Sequence, residues 1–449
     1  MESINNRNAE QHSFLIIEGN TKNIAMSSTY DLVESCYRHV APKNIDAQFN
    51  RIKNFIPQDF SLAGKSVLNS TGGIPFSDLF CGAGGLSLGF ELEGADCKFA
   101  IDIDASSIES YLINRPSSSV ALCDDIHSVL NSRMAVSHVP LVIGGPPCQG
   151  FSLANQQPLK NDPRNFLYES FLEFAHKAQA RVIVIENVPG ILKYWGKIKT
   201  DLNKRGYSSS IFDLEASLLG VPQKRRRVFI IGVMGLTQIE SKTFLADIDT
   251  SIQLQKTKSI PTNLSEALYG LPILNAKTVM NRTDLEDEKT GFTIAKASKN
   301  SNPYLDMING RFGTGLLFNH RTKYNNPRDI MLFSCLSPGE DTTSEAFAAH
   351  NPYKNRDHIF KDKFFRLRPD QPSKTITAHM YYDCHMYIHP TQARGLTPRE
   401  AARVQGFPDQ YIFLGKPNEW YRQIGNAVSP IVSRCLAKAL LPAIKHYIK

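Results

Sequence analysis

The sequence predicts an α/β protein, with a Rossmann-like, mainly parallel β-sheet that carries helices on both faces and a smaller, irregular domain after it. Two observations predict this fold class. From Pro75 onward, short continuous apolar runs alternate with stretches of helical periodicity, as is typical of parallel strands buried on both faces. After about Met234 this rhythm is lost, and the chain becomes rich in Asn, Thr, Lys, Pro and aromatic residues.

The elements follow in chain order from these runs. The predicted strands are PFSDLF, KFAIDID, PLVIGG, RVIVIENV, SSIFDLEAS and RVFIIGV. Stretches such as SSIESYLIN and NFLYESFLEFAHKA have helical spacing and lie between them. Later, Thr397 and Pro398 open a helix in TPREAARVQGFP, and the last twenty residues form an amphipathic helix. Ligands of such sheets bind beyond the carboxyl ends of the strands, where FCGAGG, PPCQG and ENVPG all lie.

The 449 residues divide into four segments. Residues 1–74 form an extension with loose helical periodicity and a linker rich in Pro, Gly and Ser, and we expect residues 1–70 to be dispensable for catalysis. Residues 75–233 contain the predicted strands, and residues 234–393 form the irregular domain. Residues 394–449 are a C-terminal segment that ends in the amphipathic helix.

Composition bounds the class of protein. Hydrophobic residues make up 42% and charged residues 21%, and the formal net charge is +8. The N-terminus lacks the apolar core of a signal peptide, and no apolar run predicts a membrane span. Eight cysteines without a C-x-x-C pair indicate reduced thiols, so we expect an intracellular, cytoplasmic protein. The spacing of His379, Cys384, His385 and His389 matches no zinc pattern, and we expect no metal.

A glycine-rich loop follows the first predicted strand. In DLFCGAGGLSLGF, Gly82 and Gly84 let the backbone approach a ligand closely. Asp102 ends the second strand, where a carboxylate can hold ribose hydroxyls. A dinucleotide fingerprint would need glycine where Ser87 stands, so the loop predicts a nucleoside site without a pyrophosphate. Asp125 could accept from an adenine amino group, although an aspartate after a strand is usually a cap or turn residue.

The run GGPPCQGFS holds Cys148 in an unusual setting. Pro146 and Pro147 fix the approach of the chain, and Gly150 leaves room for a flat substrate. A free thiol has a pKa of about 8.5, so a nucleophilic cysteine needs a fixed position and a charge partner. A lone cysteine is more often an inert core residue, but that role does not explain this run.

Two further features carry charge. Glu186 ends the aliphatic run VIVIENVPG, where a partly desolvated carboxyl suits a general acid, although a cap or salt bridge is the commoner role. The stretch Ile191–Arg227 has nine Lys or Arg and three Asp or Glu, a local net charge of +6, and ends in QKRRR. This basic stripe fits a phosphate backbone about as well as it fits a solvated loop.

Taken together, these motifs resemble the DNA (cytosine-5)-methyltransferase family. DLFCGAGG, GGPPCQGFS, ENV, QKRRRVFIIG, LTPREAARVQGFPD and QIGNAV occur in the family's order between about Pro75 and Ile444. The resemblance implies methyl transfer from S-adenosylmethionine to carbon 5 of a specific cytosine in double-stranded DNA, with that base flipped out of the helix. It also implies a restriction-modification or phage modification enzyme that acts as a monomer on DNA and has a cognate restriction endonuclease as a partner.

The resemblance also implies roles for single residues. Cys148 would be the nucleophile, Glu186 would hold or protonate the cytosine edge, and Arg227 with Arg225 would face the 2-keto oxygen. The implied cofactor residues are Phe80, Gly82, Gly84, Asp102, Ile103, Asp125, Ile126, Pro147, Leu167, Asn426 and Val428. Because the last two come late in the chain, we expect the C-terminal segment to return to the first domain. The family often has Glu at the position of Asp102 and Gly-Asp-Ile at that of Asp124-Asp125-Ile126.

Residues 234–393 resemble the family's target-recognition domain, which reads base edges in the major groove. The candidate DNA contacts are Arg311, Asn319, His320, Arg321, Lys323, Arg328 and Arg356. Three alternatives remain at this point: a tRNA methyltransferase of the same family, an inactive DNA-binding homologue, and a nicotinamide-dependent oxidoreductase. The full GGPPCQGFS run and the long recognition region favour DNA, intact Cys148, Glu186 and Arg227 favour an active enzyme, and Ser87 argues against a dinucleotide.

Overall fold

The protein is described by a computed structural model for residues 33–34, 36–38, 45–52, 73–115, 120–132, 136–147, 167–282, 284–310, 315–351 and 363–448. Its largest element is a seven-stranded sheet. The strands of this sheet are β1 (Pro75–Leu79), β2 (Asp96–Asp102), β3 (Val120–Cys123), β4 (Leu141–Gly144), β5 (Val182–Asn187), β6 (Ser208–Glu215) and β7 (Arg226–Val233).

The strand order across the sheet is β3-β2-β1-β4-β5-β7-β6. The five strands from β3 to β5 are parallel, and β7 is antiparallel to both β5 and β6. The prediction of a mainly parallel α/β sheet is therefore confirmed. The chain winds outward in both directions from β1 and β4, so a crevice opens between the carboxyl ends of these two strands. Strand β3 was not among the predicted strands.

Helices connect and flank these strands. They are α1 (Ile45–Ile52), α2 (Gly85–Leu92), α3 (Ala105–Ile113), α4 (Ile126–Asn131), α5 (Leu167–Lys177), α6 (Trp195–Lys204), α7 (Gln238–Lys258), α8 (Leu264–Leu268), α9 (Pro303–Asn309), α10 (Pro327–Cys335), α11 (Glu345–His350), α12 (Pro398–Gln405), α13 (Pro417–Asn426) and α14 (Pro430–Tyr447). Short 3-10 helices cover Pro189–Tyr194, Ala216–Leu219, Ala378–Tyr381 and His385–Tyr387.

Both faces of the sheet are buried. Successive side chains of a strand point to opposite faces. On one face Phe76 and Ile143 pack in a cluster with α2, α3, α7 and α14, and on the other face Leu79 and Val142 pack with α4, α5 and α6. This double burial explains why the strands read as continuous apolar runs in the sequence.

Helix α7 packs on the sheet of the first domain, although it lies beyond the predicted boundary at residue 234. Its apolar side, which includes Phe244, Ile248 and Ile252, is buried in the cluster that packs on the sheet. The first domain therefore continues to about Lys258. Sequence reasoning missed this because the helix carries many polar residues and lies just beyond the last predicted strand.

The C-terminal segment does return to the first domain. Helix α14 packs against α2 and α7 and shares their apolar cluster. The stretch Pro417–Tyr447, which comprises α13 and α14, is long and apolar enough to cross a membrane, although no such run was recognised in the sequence. Most of it is buried inside the protein, as in the core helix of a globular domain.

The part of the chain that resembles a target-recognition domain, here called the recognition region, is smaller and less regular than the first domain. It contains a two-stranded antiparallel sheet of β8 (Gly291–Lys296) and β9 (Leu316–Arg321), with α8 to α11 around it. Side chains from β8 and β9 share one apolar cluster with the C-terminal residues 396–424. The region is therefore joined to the first domain through the C-terminal segment.

The described part of the N-terminal extension packs on β8. The Tyr37 hydroxyl donates to Glu286 Oε2 at 2.5 Å, and Arg51 Nη2 donates to the Ile294 carbonyl at 2.6 Å. The Arg51 guanidinium also lies 3.8 Å from the centre of the Phe292 ring. Three side chains of the extension are buried in the shared cluster: Val33, Cys36 and Tyr37. Dispensability for catalysis stays a prediction, but removal of the extension would uncover part of this core.

We expect Tyr37→Phe to destabilise the protein, because Glu286 is fully buried and the variant removes one of its donors. A hydrogen bond to a buried charged group contributes about 1.5–3 kcal/mol. The measurement is the unfolding midpoint in urea. Arg38→Ala is the matched control, since Arg38 is exposed and lies 3.8 Å from Glu109, and it should cost below about 1 kcal/mol. Equal midpoints for Tyr37→Phe and the native chain would contradict the contact.

Candidate active site and cofactor cavity

One cavity of about 680 Å³ opens at the carboxyl ends of β1 and β4. This volume lies within the usual range for small-molecule sites. It brings together thirteen of the predicted site residues, which are Phe80, Gly82, Asp102, Ile103, Asp125, Ile126, Pro147, Leu167, Glu186, Arg225, Arg227, Asn426 and Val428. Late residues of α13 line the same cavity as the first loop, which explains why the C-terminal segment must return.

The turn after β1 fixes Asp102 at one end of the cavity. Asp102 Oδ2 accepts from the Gly82 amide at 2.8 Å, and Oδ1 accepts from the Asp104 amide at 2.9 Å. Gly82 has φ +52°, and Phe80 has φ +59°, which a residue with a side chain rarely adopts. Burial raises the pKa of Asp102, and the two amides oppose that shift. The carboxylate is thus held in one orientation and keeps lone pairs for ribose hydroxyls.

Gly84 departs from its predicted role. It is not among the residues that line the cavity. Its carbonyl accepts from Arg115 Nη2 at 3.0 Å, and a side chain there would collide with Arg115 and Tyr111. The contacts of Gly84 indicate that glycine is needed there for close packing behind the loop, while Ala83 and Gly85 line the cavity, and its cofactor role stays a prediction.

A chain of hydrogen bonds leads from Asp125 to helix α5. Asp125 caps α4, and its Oδ1 accepts from the amide of His127 at 2.8 Å and lies 2.7 Å from His127 Nδ1. His127 Nε2 lies 3.0 Å from Ser170 Oγ. The hydrogen bond from the His127 amide has the largest effect in lowering the pKa of Asp125, and the His127 imidazole lowers it further. Since these contacts use Oδ1, Oδ2 stays open to a ligand within the described structure. Ser170 lies one helical turn after Leu167, which lines the cavity. The hydrogen bonds therefore connect the cavity wall at Asp125 to the wall at Leu167.

Sequence reasoning missed Asp78. It is buried at the end of β1, lines the cavity, and accepts from the Ser87 hydroxyl through Oδ2. Its Oδ1 has no hydrogen-bond partner among the described residues. Burial raises the pKa of Asp78 to about 7, so this carboxyl is a proton acceptor or donor near neutrality. The signal in the sequence was an aspartate followed nine residues later by serine where a dinucleotide loop would carry glycine.

At the other end of the cavity Glu186 and Arg227 form an ion pair. Arg227 Nε lies 3.0 Å from Glu186 Oε1, and both side chains are largely shielded from water. The pair joins the end of β5 to the start of β7, and these two strands are antiparallel neighbours. A Cβ on Gly145 would come within 3.0 Å of Glu186 Oε2, so glycine there lets the GGPP loop lie directly against the carboxylate.

Arg225 is placed differently from Arg227. It is buried, and its guanidinium donates to the carbonyls of Ile376 (2.6 Å), Gly425 (3.0 Å) and Ala427 (3.1 Å). Burial, and then repulsion by Arg227, lower the pKa of Arg225 to about 9, so it is still charged at neutral pH. These hydrogen bonds indicate that Arg225 holds the cavity wall together. They do not indicate the predicted contact with the 2-keto oxygen.

Cys148 lies outside the described residues, as do Arg311 and Arg356. The described chain reaches the cavity at Pro146 and Pro147, immediately before Cys148. Asn187 Nδ2 donates to the Pro146 carbonyl at 3.4 Å and ties this loop to the end of β5.

The predicted DNA contacts on β9 are wrong. Asn319, His320 and Arg321 are buried in the recognition region. Arg321 forms an ion pair with buried Glu286 at 2.8 Å, and burial lowers the pKa of His320 to about 4, so this histidine is neutral. The basic and polar residues of this strand serve the core because it packs against the C-terminal segment. Arg328 is about half exposed and remains a candidate DNA contact.

The charged side chains of the QKRRR run are largely engaged. Gln223 is buried and bonds Gln405 and the Ile376 amide, at 2.9 and 2.6 Å. Exposed Arg226 forms a bidentate pair with Asp213. Of the five residues, Lys224 is the one with an exposed and uncompensated side chain described here. The phosphate interpretation therefore loses most of its support at this end of the stripe.

No group of three metal-ligating side chains lies together within the described ranges. The histidines and the cysteine that raised the question pack elsewhere. His385 stacks on Phe364 with ring centres 4.7 Å apart, and His389 Nδ1 accepts from the Thr391 amide at 3.1 Å. Cys384 is buried, and burial raises its thiol pKa to about 12.

Comparison with known proteins points to one family. A sequence profile described as C-5 cytosine-specific DNA methylase matches residues 74–442. The chain is 32% identical to the type II methyltransferase M.DdeI of Desulfomicrobium norvegicum, over 81% of this chain and 87% of the relative. It is 31% identical to the type II methyltransferase M.AgeI of Thalassovita gelatinovora, over 82% of this chain and 99% of the relative.

A solved structure is similar over the same range. It is described as a DNA modification methyltransferase encoded within a prophage of E. coli. The identity is 28% and the TM-score 0.63, and the match covers 83% of this chain and 100% of that one.

We expect His127→Ala to weaken cofactor binding about ten-fold, because one hydrogen bond to a charged carboxylate contributes about 1.5–3 kcal/mol. Calorimetric titration with S-adenosylhomocysteine measures this. His127→Asn, whose amide can replace Nδ1 as a donor, should retain most of the affinity. Ser128→Ala, on the exposed side of the same helix, is the matched control. An unchanged dissociation constant for His127→Ala would show that Asp125 needs no such support.

Proposed function

Because the chain belongs to the C-5 cytosine-specific DNA methylase family, we propose which of its own residues carry out the reaction of that family. The protein transfers a methyl group from S-adenosylmethionine to carbon 5 of cytosine in DNA. The tRNA alternative loses support, since the matched profile describes a DNA methylase and the similar solved protein is a DNA modification enzyme.

The chemistry requires a nucleophile, because carbon 5 of cytosine is a poor attacking atom. We assign this role to Cys148. Its thiolate adds to carbon 6, and the electron pair of the 5,6 double bond becomes available at carbon 5, which attacks the methyl group. Loss of the proton from carbon 5 then restores the double bond and expels the thiolate. The support is the position of Pro147 in the cavity wall, one residue before Cys148 and in the same cavity as Glu186.

The Glu186–Arg227 pair would balance charge during this addition. As the thiolate adds, negative charge develops on the ring nitrogen and the 2-keto oxygen. A carboxyl at Glu186 can hydrogen-bond or protonate nitrogen 3 and the exocyclic amine, while the Arg227 guanidinium faces the keto oxygen. The 3.0 Å contact between them fixes both groups on one side of the cavity. This pair, beside the GGPP loop and opposite the Asp102 loop, is the observation that carries the proposal.

The opposite end of the cavity fits the nucleoside part of the cofactor. Asp102 has a fixed carboxylate for ribose hydroxyls, and Asp125 offers Oδ2 to an amino group of adenine. Ile103 lines the cavity with an exposed side chain and would pack on the adenine ring. When bound, S-adenosylmethionine supplies the methyl group on a positively charged sulfur. Buried Asp78 lines the cavity, and its Oδ1 has no hydrogen-bond partner among the described residues, so its carboxyl suits that positively charged sulfur.

A cytosine stacked in a duplex cannot reach this cavity, so the target base must be flipped out, at a cost of a few kcal/mol. We propose that the substrate is double-stranded DNA with a specific target sequence and that the chain acts as a monomer on it. Similarity to type II methyltransferases supports a role in restriction-modification, with an endonuclease of the same specificity as partner, or in phage modification inside the cell.

We expect duplex DNA with 5-fluorocytosine at the target to trap the enzyme covalently in the presence of S-adenosylmethionine. Fluorine replaces the proton that must leave, so the thiol cannot depart after methyl transfer. The adduct should survive a denaturing gel, and peptide mapping should place it at Cys148. Cys148→Ser should form none, and Cys81→Ala should still form it, because burial raises the pKa of the Cys81 thiol well above its usual range. An adduct on any of the other seven cysteines would refute the assignment.

For Glu186→Gln we expect single-turnover methylation to fall at least 100-fold while DNA binding is retained. Glutamine can keep the contact with Arg227 but cannot donate a carboxyl proton. Rapid-quench assays with tritiated methyl groups measure the rate. Glu173→Gln, an exposed glutamate that pairs with Lys177 outside the cavity lining, should behave like the native protein. A native rate in Glu186→Gln would remove this residue from the chemistry.

A further inference from the structure

An unusual aromatic surface lies on the turn formed by residues 378–383, here called the aromatic turn. Tyr382 is 71% exposed, and the side chain of His379 is 56% exposed. Their ring centres are 5.6 Å apart, and the Tyr381 ring meets that of Tyr382 edge-on at 5.0 Å. The rings touch one another and form a patch, and contiguous exposed apolar patches mark interaction sites. The core does not use these rings, so another molecule is needed to explain them.

The aromatic turn is held rigidly. It begins with the 3-10 helix Ala378–Tyr381, whose Met380 is fully buried. Lys323 Nζ donates to the carbonyls of Met380, Tyr381 and Tyr382, at 3.3, 2.7 and 2.8 Å. Burial lowers the pKa of Lys323. This lysine was a predicted DNA contact, but its charge is used to brace the turn. The exposed rings are therefore presented in one arrangement before any ligand binds.

The turn lies beside the active-site cavity. Its first residue packs against Gly425 of α13, where a side chain would collide with Ala378, and Gly425 lines the cavity. Arg422, which also lines the cavity, lies 5.6 Å from the Tyr381 ring and pairs with Asp104 at 2.8 Å. The aromatic rings thus continue the wall of the cavity outward onto the surface.

We infer that the aromatic turn stacks on the DNA bases next to the flipped cytosine, with Tyr382 and His379 as the contacting rings. The inference rests on the proposed function, which requires a flipped base. Flipping exposes the faces of the neighbouring bases, and an aromatic ring placed there restores stacking without reading sequence. Asp383, the acidic residue on the turn, is held by the His385 amide, which donates to its Oδ1 at 3.1 Å.

The test compares Tyr382→Ala with Tyr382→Phe, using tritiated methyl transfer to unmethylated plasmid DNA. Tyr382→Ala should raise the KM for DNA about ten-fold or more, while kcat and the dissociation constant of S-adenosylhomocysteine change less than two-fold. Tyr382→Phe keeps the ring and should retain the native KM. Tyr269→Ala, an exposed tyrosine that does not line the cavity, is the matched control. Thermal unfolding midpoints within about 2 °C of the native value show that each variant folds.

A fluorescence signature separates stacking from a merely structural effect. Bisulfite sequencing of the methylated plasmid gives the target, and a duplex is then made with 2-aminopurine next to the target cytosine. Native protein should quench this base through the Tyr382 ring, and Tyr382→Ala should leave it bright. A native KM in Tyr382→Ala, or an equal loss in Tyr382→Phe, would overturn the inference. Failure of the native chain to methylate the plasmid would instead refute the proposed function.

Discussion

The structure depends most on one buried guanidinium. Arg225 comes immediately before β7, and its guanidinium donates to three carbonyls. One belongs to Ile376 of the recognition region, and the other two belong to Gly425 and Ala427 at the end of α13. Each acceptor left unpaired in the interior would cost about 1–3 kcal/mol. Through this one side chain, the sheet, the recognition region and the C-terminal segment meet at the cavity. The ion pair of Arg227, two residues later, inherits its position from that anchor.

Other buried arginines also form polar contacts where the C-terminal segment meets the rest of the chain. Arg394 pairs with Glu400 at 2.6 Å, and Arg403 pairs with Asp409 at 2.6 Å, all of them buried. Burial alone would raise the pKa of Glu400, but Arg394 holds it well below its usual range. Such pairs add little net stability, yet breaking one leaves an uncompensated charge inside the protein. They therefore act against alternative packings of an irregular region that has a small sheet.

The cavity owes its two chemistries to this arrangement. One end is built by turns that follow parallel strands, where backbone amides and carboxylates meet, as at Asp102. The other end is built on the antiparallel pair β5 and β7, which places Glu186 against Arg227. Helix α13 lines the cavity with its last residues and packs against the 3-10 helix of the aromatic turn. Cofactor, target base and the neighbouring DNA can thus contact one continuous wall, which suits a reaction that needs all three together.

The sequence by itself determined the sheet, the family and most of the cavity. Strands buried on both faces leave continuous apolar runs, and loops such as GGPPCQGFS have no role in a core, so local patterns sufficed. Only the tertiary structure decided which charged side chains are buried and which are available to contact DNA. Arg225, Arg321 and Lys323 look like DNA contacts in a basic sequence, but distant segments bury the first two and make the third a brace. The close packing of Gly84 and of helix α7 has the same cause: burial depends on partners far away in the chain, and no local pattern records them.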